Sequence, residues 1–197
     1  MSLRSTIILQ LEEWDSTWTG QTHINNVLST SNIPTINSTT FKRRGREVGK
    51  TIETVARASC QDSLRNEKAQ IRNDGVRPDE DSLVSVPCSF DIGWQKRGKG
   101  HNSHTGHAAV MSLITGKVLD YTTRTKTCRF CNQGKNSNKK VKVHDCCENH
   151  NASSKEMEPA SAVQMFNNAP KQKVKHAFYT GDDDSTTEAH IRQKVSY

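Results

Sequence analysis

Val84, Val86, Cys88 and Phe90 alternate with Ser85, Pro87, Ser89 and Asp91. A period of two admits little besides a β-strand with one buried face. The run closes on a carboxylate, Asp91, followed by a glycine, Trp94 and the basic residues Lys96, Arg97 and Lys99. A strand end is a rigid support, so an acid there can hold a metal ion in fixed geometry. Taken alone, an aspartate at a strand-to-loop junction is ordinary turn chemistry. Pro87 also sits awkwardly in a strand meant to lie centrally, because it removes a donor from the ladder.

What surrounds this strand narrows its meaning. Only 32% of the 197 residues are hydrophobic and the mean hydropathy is −0.80, so apolar material suffices for one modest core with much loop. The formal charge of +7 suits a polyanionic partner, nucleic acid before others. No apolar run is long enough for a membrane span. The opening stretch reaches Glu12 and Glu13 too soon for a signal peptide, so the six cysteines are expected as thiols or metal ligands and not as a disulfide framework.

Residues 1–38 read as a poorly defined arm, with the Ser/Thr/Asn-rich residues 28–40 as a linker or extended piece. Phe41, Val48, Ile52, Val55, Ala56 and Ser59 recur at helical spacing, which predicts an amphipathic helical segment within residues 39–79, N-capped among Ser38 to Thr40. Lys42, Arg43, Arg44 and Arg46 cluster near its start and read as a solvated face or an auxiliary phosphate contact. His101, His104 and His107 fall on a Gly/Ser/Asn loop and read as solvated histidines. Residues 108–114 and 117–121 form an antiparallel hairpin about Thr115-Gly116.

The most specific signal is chemical. Cys128-x-x-Cys131 opens a polar, Lys/Asn-rich loop that His144, Cys146, Cys147 and His150 close. Two thiolates across a two-residue gap grip one ion from a single turn, and a second pair completes a tetrahedron. The expected zinc ligands are Cys128, Cys131, Cys146 and His150, with His144 or Cys147 as substitutes, and the ion would tie off an insertion over residues 128–150. A helix follows, beginning near Pro159. Val174, His176, Phe178 and Thr180 then alternate into a fourth strand running into Asp182, Asp183 and Asp184. Ser185 to Glu188 has the form of a capping box, which accounts for Asp184 or Ser185 and leaves Asp182 for other work.

In this order, Ser89-Phe90-Asp91 with Gly93 to Gly98, Thr115 to Asp120, Cys128-x-x-Cys131, the His144/Cys146/His150 group, Ser153-Ser154 with Met157-Glu158, and Tyr179 to Ser185 resemble the ribonuclease-H-like core of Mutator-like transposases. The resemblance implies an α/β fold over residues 80–197: a mixed sheet whose first three strands form a hairpin meander and whose fourth is parallel, carrying the Cys/His insertion and preceded by the helical segment. It implies Asp91 and Asp182 as catalytic acids holding Mg²⁺ or Mn²⁺, two ions about 4 Å apart acting on a DNA phosphodiester, with Asp184 a weaker candidate for the second acid. Lys96, Arg97 and Lys99 would contact DNA, as transposon end and target, in a homo-oligomer, and the nucleus follows from that substrate alone. The third acid of such triads lies on a helix well beyond the second, and Glu188 follows Asp182 too closely to replace it. The expectation is therefore a truncated or degenerate copy, incomplete and without strand-transfer activity as written. The alternative is a zinc-stabilised DNA-binding module without catalysis.

Overall fold

The computed structural model describes residues 21–73, 83–95, 102–137, 140, 141, 143–180 and 185–197. Residues 1–20 of the expected arm, the basic Lys96, Arg97 and Lys99, His101, and the acids Asp182, Asp183 and Asp184 lie outside the described residues. The chain divides into two compact units, Met1–Ser63 and Leu64–Tyr197. The division falls inside a helix and not in the loop that precedes the first strand.

The first unit holds α1 (Gln21–Thr30) and the first part of α2 (Ser38–Asn73). Residues 28–40 were expected as linker, yet only 31–37 connect the two helices. Asn25 grips the connection through both backbone groups of one residue: its Nδ2 donates to the Ile36 carbonyl at 3.0 Å and its Oδ1 accepts the Ile36 amide at 2.9 Å. Asn37, one residue before the expected caps, accepts the Thr40 amide at 2.8 Å and so satisfies a free N–H of the first turn. The burial stripe on α2 also differs from the apolar pattern. Ala56, Cys60 and Ser63 are buried, while Val48 and Val55 are 45% and 62% exposed.

Four strands make the described sheet of the second unit: β1 (Val84–Trp94), β2 (Thr105–Ser112), β3 (Val118–Thr125) and β4 (Val174–Thr180), in the order β3-β2-β1-β4. The β1/β2 and β2/β3 pairs are antiparallel and β1/β4 is parallel. Gly116 has φ +64° in the hairpin turn, a value glycine adopts without a side-chain penalty. The strand-forming alternation is obeyed: Val84, Val86, Cys88, Phe90 and Ile92 line the core. Met157, Ala162, Met165 and Phe166 of α4 (Met157–Asn168) pack there too, with Leu64 from the end of α2. Burial pushes the Cys88 thiol up to about 12, so it is an inert core residue.

Pro87 does lie in a central strand. A residue's N–H and C=O point to the same side of a strand, and the Pro87 carbonyl accepts the Leu113 amide at 3.1 Å. The missing donor therefore faces β2 where that strand has ended in the turn at Leu113, and no interior rung is lost. Across β4 the register shifts at the same point: Val86 pairs with His176 but Pro87 with Phe178, leaving Ala177 as an extra residue.

His176 is buried on the core side, its ring centroid 4.7 Å from that of Phe166 and its Nδ1 without a hydrogen-bond partner. Burial holds its pKa down at about 4, below the ordinary 6.5. A histidine depressed in the fold leaves the unfolded chain binding more protons between those values. Stability is then whole above pH 6.5 and is lost as pH falls toward 4, by roughly 3 kcal/mol at 1.36 kcal/mol per unit. The urea midpoint of the wild type should fall relative to that of His176→Phe as pH is lowered through this window. Parallel curves would refute the assignment.

Candidate metal centre

Helix α3 (Arg129–Ser137) begins one residue after Cys128, in a stretch expected as loop. Its first turn brings Cys131 beneath Cys128. From the returning chain, His144 Nε2 comes to 3.2 Å from the Cys128 sulfur and 3.5 Å from the Cys131 sulfur, and Cys146 Sγ lies 3.6 Å from Cys131 Sγ. All four ligand atoms fall within 4.8 Å of one another. A tetrahedron of 2.3 Å Zn–S bonds has edges of about 3.8 Å, so these four side chains fit a single ion with no rearrangement of backbone. Soft thiolates with imidazole match zinc and not a hard cation.

The fourth ligand atom belongs to His144, named as a substitute on sequence, and not to His150. His150 is buried at 7% exposure, with its Nε2 2.9 Å from the Ser153 carbonyl. With its neighbour it fastens the returning loop to the end of β3. The amides of Asn149 and His150 donate to the Thr125 carbonyl at 2.9 and 3.1 Å, and Asn149 Oδ1 accepts the Thr125 amide at 2.7 Å. Cys147 is not one of the four, although it lies beside the Cys128 thiol, and its own thiol is 3.5 Å from the Thr127 carbonyl. All six cysteines are free of disulfides.

The thiols are electrostatically unequal. The Cys131 backbone N–H, helped by His144, holds the Cys128 thiol down at about 6. Cys131 is pushed up to about 11, first by its hydrogen bond with Cys146 and then by burial. At neutral pH without a metal, one thiolate thus sits against a thiol that keeps its proton. Loading must expel that proton, so affinity falls as pH falls.

The acidic candidate is elsewhere on the sheet. Asp91 lies within β1, which runs three residues further to Trp94, and so precedes the strand end. Its side chain is on the exposed side, with Oδ1 accepting the Ile92 amide at 2.7 Å. Asp91 pairs across β2 with Ala109, and two residues earlier Ser89 pairs with Thr180 of β4. An exposed, oriented carboxylate suits a hard divalent cation. On the same strand pair His107, expected as a solvated loop residue, sits in β2 with its Nδ1 3.1 Å from Thr123 Oγ1.

Sequence reasoning passed over Glu67. Fully buried on α2, its carboxylate accepts the hydroxyls of Ser112 at 2.6 Å and Thr115 at 2.8 Å, clasping the hairpin that carries β2 and β3. No local signal distinguishes it from the exposed acids on the same helix.

A family model described as Mutator-like transposase matches residues 16–197. The chain belongs to the Mutator-like transposase family. The match takes in α1, the sheet and the Cys/His tetrad of this Mutator-like transposase alike, and family membership points to DNA as its partner. No curated protein and no solved structure matches the chain. Among the described residues of this transposase domain, no helix is long and apolar enough to cross a membrane.

Proposed function

We propose that this chain is a transposase domain with a ribonuclease-H-like core, in which Asp91 and Asp182 share a site for Mg²⁺ or Mn²⁺ and act on DNA phosphodiesters. The observation that carries it is the parallel register. Ser89 pairs with Thr180, and each acid follows two residues later in its own segment. If it continued that far, the register would make 91 and 182 level. Before the irregularity Val86 pairs with His176, and that spacing would bring 181 level with 91. The extra residue at Ala177 therefore favours the aspartate over Gly181. Level residues on parallel neighbours project to the same face. The order β3-β2-β1-β4 with a single parallel strand supports the ribonuclease-H-like reading.

A divalent ion held there would supply charge neutralisation at a phosphodiester under attack by water or a 3′-hydroxyl. The protein's part would be to hold two carboxylates, one of them on β1 and already oriented by the Ile92 amide. Lys96, Arg97 and Lys99, just past β1 in sequence, would bind the DNA backbone. Zinc in the Cys128/Cys131/His144/Cys146 tetrad is structural in this reading, and its soft donors keep it apart from the oxygen site. Transposon ends and target as substrate, assembly as a homo-oligomer on DNA, and a nuclear site of action belong to the same proposal.

Mn²⁺ binding by electron paramagnetic resonance and nicking of supercoiled plasmid test it on the zinc-loaded chain. Asp91→Asn and Asp182→Asn should each weaken Mn²⁺ binding at least about tenfold and bring nicking to background. Equal Mn²⁺ binding by wild type and both variants would remove the acidic site. The alternative, a DNA-binding module without catalysis, is favoured by the convergence of four soft ligands and would then stand.

A further inference from the structure

Phe130 is 58% exposed, whereas Phe90 and Phe166 are each 2% exposed. Leaving a phenylalanine in water forgoes the stabilisation that burial brings, so its place on the surface calls for a reason. The ring is nonetheless held. It stands between Cys128 and Cys131 in sequence, and its centroid is 5.1 Å from the imidazole of His144 with the planes at 44°. Two members of the metal tetrad flank it along the chain and a third packs against its ring.

The surroundings are cationic. Arg129, Lys135 and Lys140 are exposed. Among the described residues, Lys135 approaches a carboxylate, that of Glu148, at a loose 4.0 Å. Over residues 128–150 there are five lysines and arginines against two acids. A flat apolar face set among positive charges matches an unpaired polynucleotide strand, whose bases offer π-faces and whose backbone is anionic. In a duplex those faces are already stacked on one another.

We infer that the Cys/His insertion is a docking site for single-stranded DNA, with one base stacked on Phe130 and phosphates facing Arg129, Lys135 and Lys140. Charge complementarity selects a polyanion, the exposed ring selects an unpaired strand, and the choice of DNA rests on the transposase reading. Because His144 belongs to both the tetrad and the ring contact, metal loading stiffens the platform.

Fluorescence anisotropy of a labelled 20-nucleotide oligo(dT) with the full, zinc-loaded chain tests this at low salt. Phe130→Ala should weaken binding about tenfold, the expected loss of one base–aromatic stack, with zinc content unchanged and duplex binding within about twofold. Phe130→Trp should restore binding. Arg129→Gln should make the salt dependence shallower, since each phosphate contact contributes to that slope. Unchanged oligo(dT) binding in Phe130→Ala, an equal fall on duplex, or no binding by the wild type would overturn the inference. The acidic site is separable: oligo(dT) binding is measured without added Mg²⁺ or Mn²⁺, so failure of the nicking assay leaves this result standing.

Discussion

Replacing His144 by alanine empties the metal centre, whereas replacing His150 leaves it filled. His144 supplies the single nitrogen among four convergent ligand atoms, and a structural zinc site with three protein ligands is open to water and far weaker. Metal analysis after dialysis should find one zinc per chain in the wild type and in His150→Ala, and almost none in His144→Ala. The two variants should fail differently. Loss of zinc frees the stretch around α3, because apparent binding energies of about 10–16 kcal/mol in such sites are folding energy. His150→Ala instead removes a buried contact with the Ser153 carbonyl and should cost roughly 1–3 kcal/mol. Full zinc in His144→Ala would mean that another side chain completes the tetrahedron.

Glu67→Leu should cost roughly 3 kcal/mol and loosen the β2–β3 hairpin, a large part of the 5–15 kcal/mol that holds a domain together. Ser112 Oγ already accepts the amides of Ile114 at 3.0 Å and Thr115 at 2.9 Å, so its proton has to go outward, to Glu67. Leucine fills the space but leaves that proton and the Thr115 hydroxyl without an acceptor. Glu67→Gln should cost far less: its carbonyl oxygen can take the Ser112 proton and its amide can donate to a rotated Thr115 hydroxyl. Urea denaturation that ranks Gln with Leu would show that charge, and not acceptor geometry, is what the clasp requires.

The strands were legible because alternation is a property of adjacent residues. Val84 to Phe90 and Val174 to Thr180 declared themselves, although β1 continues past Asp91 to Trp94 and β2 begins earlier than its apolar run, at Thr105. Cys128 and Cys131 were legible for the same reason, since their spacing is one turn of chain. His144 and His150 were not distinguishable. Both are histidines at a plausible distance from Cys146, and only the fastening of Asn149 and His150 to Thr125 decides which ring turns inward. α3 was missed because Arg129–Ser137 has no buried residue to mark a helical face. Val48 and Val55 misled for the opposite reason: apolar residues at helical spacing do not announce whether anything covers them.

The order of letters alone determined the strands, the long helix and a soft-ligand pair, since each depends on contacts no more than a few residues apart. Folding in three dimensions decided which histidine faces the thiols, how Pro87 is accommodated at the end of the β1–β2 ladder, and that Glu67 clasps Ser112 and Thr115. Those outcomes depend on groups many residues apart in the chain, whose partners are chosen by packing and hydrogen-bond satisfaction and leave no periodic trace in the sequence.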